Sequence, residues 1–535
     1  MINIEIIKQA ITYTQNGKIS EAKAIYDGLL AENPDDVNLL SVYGLFYVNI
    51  GNYDKACEIL RKACGIKESF GTVSALGFAE YERGNFKEAA DILEKAVSYG
   101  ENPDIYNKLV MSLFEIRNYK KAVEFADKMY EKYPDDVRAI ANKVKALTQS
   151  GKLIEAEKLC VEELRKRPDA ATLWFHLGFL KELIYCDDRQ AKECYKAAAE
   201  LGNPEADYNI AVSCQKLGEF NEAVEHYKKM LKNFPNDINT ITSLGMCYLT
   251  QKNFYKGYEY FFKRDKSKFS NLSKNFWKPG DKLEDEINVI CDQGYGDHIM
   301  FSRYLNYLGN RKINVGTRTA LQELFQNNFK GINFIAHEDL NPELQAVFIT
   351  DLPYILNMDF NNIPLAEGYL TALPAEVDSK KLKVGFCWEA GSAGIRTMIN
   401  RTINVKFFEK MFNLANIKVY SFQVDDTLKG NERYPQMINL AKDFKSFSDT
   451  ASALKAMDVV VTVDTSVAHL AGALGVKTYL LLPYASDWRW FGDTKTTPWY
   501  KSVEIFKQQD MISWEYEIDS IVNILKHQSL KLLSF

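Results

Sequence analysis

The sequence predicts an α + α/β protein, in which an all-helical repeat array precedes a region of parallel α/β sheets. A helical pattern recurs at a nearly fixed interval through the first half of the chain. Short β-branched runs that alternate with helix-length stretches follow in the second half. With 535 residues the chain is too long for a single hydrophobic core, so several domains are expected.

The repeats are marked by a small residue that begins the second helix of each unit. This residue recurs every 32 to 35 positions, at Ala22, Ala56, Ala89, Ala122, Ala156, Ala191, Ala223 and Gly257. Several units close with a proline, which cannot continue a helix, at Pro34, Pro103, Pro134, Pro168, Pro204 and Pro235. The pattern resembles a tetratricopeptide array of about eight helix pairs over residues 1–265. Such pairs stack into a superhelix, and we expect its concave surface to bind a protein.

The repeat pattern stops at a charged segment that contains Pro279 and Gly280, and we interpret residues 266–285 as a linker. Residues 286–378 and 379–535 are then expected to form two α/β domains, with a seam near Glu376–Lys381. The predicted strands are Ile287–Cys291, Ile313–Val315, Asn333–Ile335, Ala346–Ile349, Lys383–Cys387, Lys418–Phe422, Val459–Val463 and Thr478–Leu482. Ligands of such folds bind at the carboxyl ends of the strands.

The first predicted strand ends in the motif DQGYGDHIM, where Gly294 and Gly296 allow a tight turn. Asp297 stands where a helix begins. Its carboxylate suits a helix N-cap, and it equally suits a general base that faces a cleft. The residues alone leave both interpretations open.

The loop after the strand that ends at Cys387 carries Trp388 and Glu389, followed by Arg396, Arg401 and Thr402. The positive charge of the two arginines suits a diphosphate, and the threonine hydroxyl is a further donor to the same anion. An ordinary solvated loop would account for the same residues.

The third strand end, VDTSVAHLAGALG, is the most informative. Asp464, Thr465 and Ser466 fill the turn before a small-residue helix, and His469 lies one turn further on. The N-terminus of a helix presents unpaired N–H groups to an anion, and the hydroxyls and His469 add donors. Helix capping accounts for Asp464 or Thr465 but leaves His469 unexplained. Asp464 is expected to hold the turn or accept from a sugar hydroxyl.

Aromatic residues follow the last predicted strand. Trp488 and Trp490 flank Arg489, and Trp499 and Tyr500 come soon after. Such rings stack on a base or a sugar, and they equally form a rigid aromatic core.

Charge and cysteine usage restrict the class of protein. The formal net charge is -5, with acidic and basic residues interspersed, which argues against a nucleic acid as the main partner. The nine cysteines are an odd number and are expected to be reduced core residues. The N-terminal residues do not resemble a signal peptide, and no stretch is apolar enough for a membrane span, so a cytoplasmic location is expected.

Together the motifs DQGYGDHIMFSRYL, VGFCWEAG, DTSVAHLAGALG and LLPYASDWRWFGDTKTTPWY resemble bacterial tetratricopeptide-repeat glycosyltransferases of the GT-B fold. The second half is similar to the heptosyltransferases of glycosyltransferase family 9. The order of repeats and catalytic half is similar to that of the family 41 O-GlcNAc transferases. The resemblance implies two Rossmann-like domains, of which residues 286–378 would face the acceptor and residues 379–535 would bind a nucleotide-sugar.

The resemblance also implies roles for single residues. Asp297 matches the proposed acceptor base, and Asp464, Thr465, Ser466 and His469 match positions that hold the donor diphosphate. Gln423 matches a position near the nucleotide base and ribose. Arg401 takes the place of the basic residue that stabilises the leaving diphosphate. Further donor or acceptor contacts are expected from Gly296, Trp388, Glu389, Arg396, Trp488 and Arg489. The resemblance implies no metal, because this fold class usually relies on the helix dipole and side chains instead. It implies no cofactor either, since the UDP-sugar is a substrate.

The expected function is therefore inverting protein O-glycosylation. The resemblance implies UDP-GlcNAc as donor and a Ser or Thr of a protein as acceptor, with flagellin as a candidate. Two alternatives stay open, namely a heptosyltransferase-like glycan or lipopolysaccharide transferase and a non-catalytic repeat scaffold. The sequence also leaves open whether the repeats form a homo-oligomer.

Overall fold

The structure, a computed structural model, describes residues 4–377, 379–391, 401–491, 495–509 and 513–532. The chain divides into two compact units, Met1–Ala206 and Asp207–Phe535. The described residues of the first unit form helices and turns without a strand, whereas the second unit contains the last repeats together with two β-sheets. The predicted order of an all-helical repeat region and an α/β region is confirmed.

The repeat region consists of paired antiparallel helices joined by short turns. In chain order they are α1 (Ile4–Gln15), α2 (Ile19–Glu32), α3 (Val37–Asn49), α4 (Tyr53–Ile66), α5 (Phe70–Glu82), α6 (Phe86–Tyr99), α7 (Pro103–Glu115), α8 (Tyr119–Lys132), α9 (Val137–Gln149), α10 (Leu153–Lys166), α11 (Ala171–Tyr185), α12 (Asp188–Glu200), α13 (Ala206–Lys216), α14 (Phe220–Asn233), α15 (Ile238–Thr250) and α16 (Phe254–Phe261).

The recurring small residue is explained by the close approach of the two helices in each pair. Seven of these residues are alanines with no exposed surface, at positions 22, 56, 89, 122, 156, 191 and 223. At Gly257, the eighth, a Cβ atom would lie 2.6 Å from Leu249 Cγ, so even an alanine does not fit without a shift. The turn within each pair needs one residue with positive φ, which is +75° at Gly51 and +65° at Lys252.

Two glycines of the first unit are expected to respond in opposite ways to substitution by alanine. At Gly178 of α11 a Cβ atom would lie 2.8 Å from the buried ring of Tyr195 and 3.1 Å from the Ala191 carbonyl oxygen. Gly178→Ala should therefore lower the free energy of unfolding by about 1–3 kcal/mol.

The matched control is Gly28→Ala in the exposed face of α2, where a Cβ atom meets nothing within 4 Å. It should raise the free energy of unfolding by about 0.5–1 kcal/mol, because alanine loses less backbone entropy than glycine in a helix. Urea denaturation followed by circular dichroism measures both. Equal effects of the two substitutions would contradict the close packing of α11 on α12.

The first sheet has five parallel strands in the order β1-β5-β2-β3-β4. Its strands are β1 (Asn275–Phe276), β2 (Glu286–Ile290), β3 (Lys312–Gly316), β4 (Ile332–Ile335) and β5 (Gln345–Phe348). Its helices are α17 (Tyr295–Ser302), α18 (Thr319–Asn328) and α19 (Leu352–Ile355). The short strand β1 lies in the segment 266–285 that the sequence predicts as a linker, so part of this segment belongs to the sheet.

The second sheet has seven strands in the order β11-β12-β10-β9-β6-β7-β8, all parallel except the antiparallel pair β11-β12. The strands are β6 (Leu382–Cys387), β7 (Ile417–Ser421), β8 (Ile438–Asn439), β9 (Val459–Val463), β10 (Thr478–Leu482), β11 (Thr496–Thr497) and β12 (Tyr500–Lys507). The helices are α20 (Glu409–Phe412), α21 (Gly430–Arg433), α22 (Phe447–Lys455), α23 (Ser466–Ala473) and α24 (Glu515–Leu532).

Short 3₁₀ helices fill several connections of the second unit. They are Ser267–Phe269, Leu305–Tyr307, His337–Asp339, Ile349–Asp351, Phe360–Asn362, Val405–Phe408, Ala441–Asp443 and Trp488–Trp490. Among the described helices of the chain, none combines the length and the apolar character that a membrane span requires.

A buried ion-pair network joins the end of α16 to the first sheet within the second unit. Arg264 donates from Nη2 to Asp292 Oδ2 at 2.6 Å and from Nη1 to Asp351, which also pairs with Lys266 at 2.7 Å. Thr350 donates its hydroxyl to Asp292. Burial alone would raise the pKa of Asp292, but Arg264 holds it below its usual value. Asp292 therefore stays charged and fixes the strand end that leads into α17.

Candidate functional site

Two helix N-termini of the second unit meet at the carboxyl ends of the strands. Helix α17 follows β2 and helix α23 follows β9. Gly296 in the first turn of α17 faces His469 in α23, and a Cβ atom at Gly296 would lie 2.7 Å from His469 Cδ2. This contact brings the DQGYGD and DTSVAH motifs together, as expected for strand ends that share one cleft.

Asp297 is buried and forms an ion pair across the site. Its Oδ1 accepts from Arg489 Nε at 2.7 Å and from Arg489 Nη2 at 2.5 Å, and its Oδ2 accepts from the Gly294 N–H at 3.2 Å. Gly294 is the N-cap residue of α17, and Asp297 three residues later accepts from its N–H, so Asp297 helps to cap the helix but is not the N-cap residue that the sequence suggested. Burial raises the pKa of Asp297, and Arg489 opposes the rise only in part. A carboxylate with a raised pKa suits a general base.

The turn from Asp464 to Ser466 does not use its hydroxyls as a helix cap. Thr465 is the N-cap residue of α23, yet its side chain accepts no bond from the helix N–H groups. Its Oγ1 lies 3.3 Å from Thr462 Oγ1 instead. The side chain of Asp464 is buried, and its Oδ2 accepts from Arg401 Nη1 at 3.4 Å. The first N–H groups of α23 therefore remain without a side-chain cap, as an anion site requires.

His469 is held in one orientation by aromatic residues. Its ring stacks on Trp490 with centroids 4.8 Å apart, and its Nδ1 lies 3.1 Å from the Tyr500 hydroxyl. Its Nε2 lies 4.0 Å from Asp464 Oδ1. Burial, together with the charge of Arg489, lowers the pKa of His469 to about 3, so the ring is neutral at pH 7. When Tyr500 donates to Nδ1, Nε2 carries the proton and faces the turn.

Several buried donors on the segments that follow β6 and β10 lack a hydrogen-bond partner among the described residues. They are Arg401 Nε, Thr402 Oγ1, Ser486 Oγ and Trp488 Nε1. Buried polar groups are nearly always paired, so unpaired groups indicate a ligand, a water or an ion. Arg401 and Ser486 follow β6 and β10, whose carboxyl ends flank that of β9. This donor set suits an oxygen-rich anion.

The predicted contacts on the other side of β6 form a separate group of side chains. Gln423 accepts from the N–H groups of Trp388 and Glu389 at 3.1 and 3.0 Å and donates to the carbonyl groups of Glu389 and Asp425. Glu389 accepts from Thr427. Here the side chain of Gln423 orders the loop after β6, and its contact with a nucleotide stays a prediction.

Trp388 is fully buried against α21, where a Cβ atom at Gly430 would lie 2.5 Å from its ring. The structure therefore places Trp388 in the core of the second sheet, away from the cluster that Asp297, His469 and Arg489 form. Arg396 lies outside the described residues. Of the predicted residues, the structure brings together Gly296, Asp297, Arg401, Asp464, Thr465, Ser466, His469, Trp488 and Arg489.

Three residues of the cluster have no role assigned by the family resemblance, although the sequence marks Trp490 and Tyr500 among the aromatic residues that could stack on a base or a sugar. Asp487 accepts from Arg489 Nη1 at 2.8 Å, Trp490 stacks on His469, and Tyr500 contacts its Nδ1. The motif SDWRWFG contains two of them, and its alternation of charge and tryptophan was the available signal. Tyr500 is marked by the sequence only as one of the aromatic residues after the last predicted strand, and a tyrosine that begins a strand is equally common in a core.

Comparison with known proteins confirms the repeats. Tetratricopeptide-repeat families match residues 7–69, 75–137 and 205–237. Protein FlbA of Caulobacter vibrioides (strain ATCC 19089 / CIP 103742 / CB 15) is 23% identical over 454 residues, which cover 74% of this chain and 73% of that protein. The chain thus contains a tetratricopeptide region of the kind that binds protein partners.

Solved structures of tetratricopeptide repeat proteins resemble part of the chain. A tetratricopeptide repeat protein from Parabacteroides merdae ATCC 43184 matches with 15% identity and a TM-score of 0.41, over 45% of this chain and 97% of that one. YrrB, described as a tetratricopeptide repeat protein with an unusual peptide-binding site, matches with 21% identity and a TM-score of 0.30, over 36% of this chain and 98% of that one.

Proposed function

We propose that this protein is an inverting glycosyltransferase that moves a sugar from a nucleoside diphosphate to a Ser or Thr hydroxyl of a protein bound by the repeats. The observation that supports this most strongly is the contact between Gly296 and His469. It places a buried carboxylate of raised pKa, Asp297, beside an uncapped helix N-terminus that suits a phosphate. A base and an anion site side by side are the two parts that glycosyl transfer needs.

The proposed reaction assigns the proton and the leaving group to different residues. Asp297 takes the proton of the acceptor hydroxyl as its oxygen forms a bond to the anomeric carbon. The bond from that carbon to the diphosphate oxygen breaks, and the electron pair leaves with the diphosphate. The first N–H groups of α23, the Nε2–H of His469 and the guanidinium of Arg401 stabilise the departing charge. All three groups are in place before the reaction begins, so they stabilise the developing charge without having to reorient.

The donor and acceptor are proposed from the family resemblance and the repeats. UDP-GlcNAc is the proposed donor, and flagellin or another surface protein glycosylated before export is the proposed acceptor. The repeats favour a protein over a lipopolysaccharide acceptor, because tetratricopeptide surfaces bind polypeptides.

Nucleotide binding at the turn is expected to appear in a thermal-shift panel of UDP, ADP, GDP, CMP and UDP-GlcNAc. A ligand at one hundred times its Kd stabilises the native state by about 2.7 kcal/mol, so one member of the panel should raise the Tm by several degrees. His469→Ala should lose most of this response, because it removes the Nε2–H and the stack on Trp490.

The matched control is His527→Ala in the exposed part of α24, which should respond as the wild type does. A panel without any response, or an unchanged response of His469→Ala, would contradict the proposed site.

A further inference from the structure

We propose that Arg489 makes Asp297 available only after the donor has bound, by exchanging this carboxylate for the diphosphate. The inference rests on the proposed function and concerns the same site. It assigns to Arg489 a positioning role toward the base and a direct contact with the leaving group.

Arg489 is shared between two carboxylates in the described structure. Its Nε and Nη2 donate to Asp297, while its Nη1 and its backbone N–H donate to Asp487 Oδ1 at 2.8 and 3.0 Å. The guanidinium also lies over the ring of Trp488, 4.5 Å from the centroid. The side chains of Arg489 and Asp297 are 14% and 12% exposed, so the ion pair is largely shielded from water.

The ion pair occupies one oxygen of the carboxylate completely. Asp297 Oδ1 already accepts two N–H groups of Arg489, and Oδ2 accepts the N–H of Gly294. One lone pair of Oδ2 remains for an acceptor hydroxyl, and the adjacent charge of Arg489 makes the carboxylate a weak proton acceptor until the guanidinium leaves. Besides Arg489, the charged or titratable groups that act on Asp297 are Asp487 and Asp292, and Tyr258 of α16 lies close enough to feel its charge.

Departure of Arg489 would also strengthen the base. Burial raises the pKa of Asp297, and Arg489 is the group that lowers it. Asp487 and Asp292 both raise it further. Once the guanidinium turns away, burial and the two aspartates favour the protonated form and the Gly294 N–H alone opposes them, so the carboxylate becomes a better proton acceptor.

The diphosphate supplies the reason for the exchange. Three carboxylates meet at the site among the described residues, namely Asp297, Asp464 and Asp487, and the arginines that pair with them are Arg401 and Arg489. A dianionic diphosphate adds negative charge, so it binds well only when it recruits a cation. The planar fork of an arginine matches two phosphate oxygens, and Arg489 can keep its Nη1 on Asp487 while Nε and Nη2 turn to the phosphate.

A double-mutant cycle of nucleotide binding tests the exchange without any activity measurement. Isothermal titration calorimetry is run on the full chain with whichever of UDP, ADP and GDP stabilises the wild type most. Asp297→Asn removes the competitor for Arg489 and is expected to bind the nucleotide about fivefold to tenfold more tightly than the wild type. Arg489→Gln should bind about tenfold more weakly, and Arg489→Lys should lie between it and the wild type.

The diagnostic result is the double variant. In the Arg489→Gln background, Asp297→Asn is expected to change the affinity by less than about twofold, because the competition requires the guanidinium. The control is Asp339→Asn, in the exposed connection between β4 and β5. It removes the same charge and should leave the affinity unchanged. Asp297→Ser also removes the carboxylate and is expected to have the same effect on affinity, so it replaces Asp297→Asn if that variant does not fold.

Two results would overturn the inference while leaving the proposed function intact. One is unchanged or weaker nucleotide binding by a folded Asp297 variant, which indicates an ion pair with a purely structural role. The other is an equal gain in the Arg489→Gln background. If the wild type binds none of the three nucleotides, the proposed function itself fails, and the inference fails with it.

Discussion

Asp297→Asn is expected to lower sugar transfer by about a thousandfold, the range typical of a lost general base. Asparagine has the shape of aspartate but accepts no proton, so the attacking hydroxyl keeps its hydrogen. Nucleotide binding should persist in this variant, because the N–H groups of α23 and His469 are untouched. Loss of transfer with retained binding separates a catalytic role from a structural one.

Release of UDP from UDP-GlcNAc measures this effect even before the acceptor is identified, because water also serves as a slow acceptor. The control is Asp339→Asn, which should release UDP at the wild-type rate. If Asp297→Asn also releases UDP at that rate, Asp297 is only the cap of α17 and another residue must be the base.

Arg264→Met is expected to lower the free energy of unfolding of the second unit by about 3–5 kcal/mol. The substitution leaves Asp292 without its buried cationic partner and Asp351 with Lys266 alone. A buried ion pair contributes little net free energy to folding, whereas a buried carboxylate that has lost its partner destabilises the fold strongly. The double variant with Asp292→Asn should recover part of the loss, since it removes one uncompensated charge.

Chemical denaturation followed by tryptophan fluorescence reports on this unit, because six of the seven tryptophans lie in it, all except Trp174. Lys274→Met is the matched control, since its ion pair with Glu343 is exposed and such pairs contribute little. A loss as small as that of Lys274→Met would show that the Arg264 network does not stabilise the unit.

The features that could be predicted from the sequence are those marked by a regular local pattern of apolar or small residues. All eight predicted strands are present, each within one residue of its predicted ends, because parallel strands buried on both faces are continuous apolar runs. The repeats are recognisable for the same reason. Strands β1, β8 and β11 have two residues each, which is too short for any pattern. Strand β12 is not among the predicted strands, although its buried residues alternate with Lys501 and Glu504, a period of two that was an available signal.

The candidate site could be predicted only in part, because its contacts join distant segments. Motifs at strand ends predict which residues share the cleft, and they place Asp297 near His469. The pairing of Asp297 with Arg489 spans 192 residues and follows from how the connections after β2 and β10 pack. Gln423 accepts from two backbone N–H groups of the loop after β6, a role that no local pattern indicates, and its contact with a nucleotide stays a prediction of the family resemblance.

A crystal structure of the protein with UDP-GlcNAc tests the central claim most directly. The account predicts the diphosphate at the N-terminus of α23, within hydrogen-bond distance of the first N–H groups and His469 Nε2, with Arg489 moved from Asp297 to the phosphate. A cavity of about 660 Å³ elsewhere in the same unit, lined by Phe220, Tyr484 and Gln508 among others, offers the nucleotide a different place. Binding there, with the turn from Asp464 to His469 free of phosphate, would contradict the account.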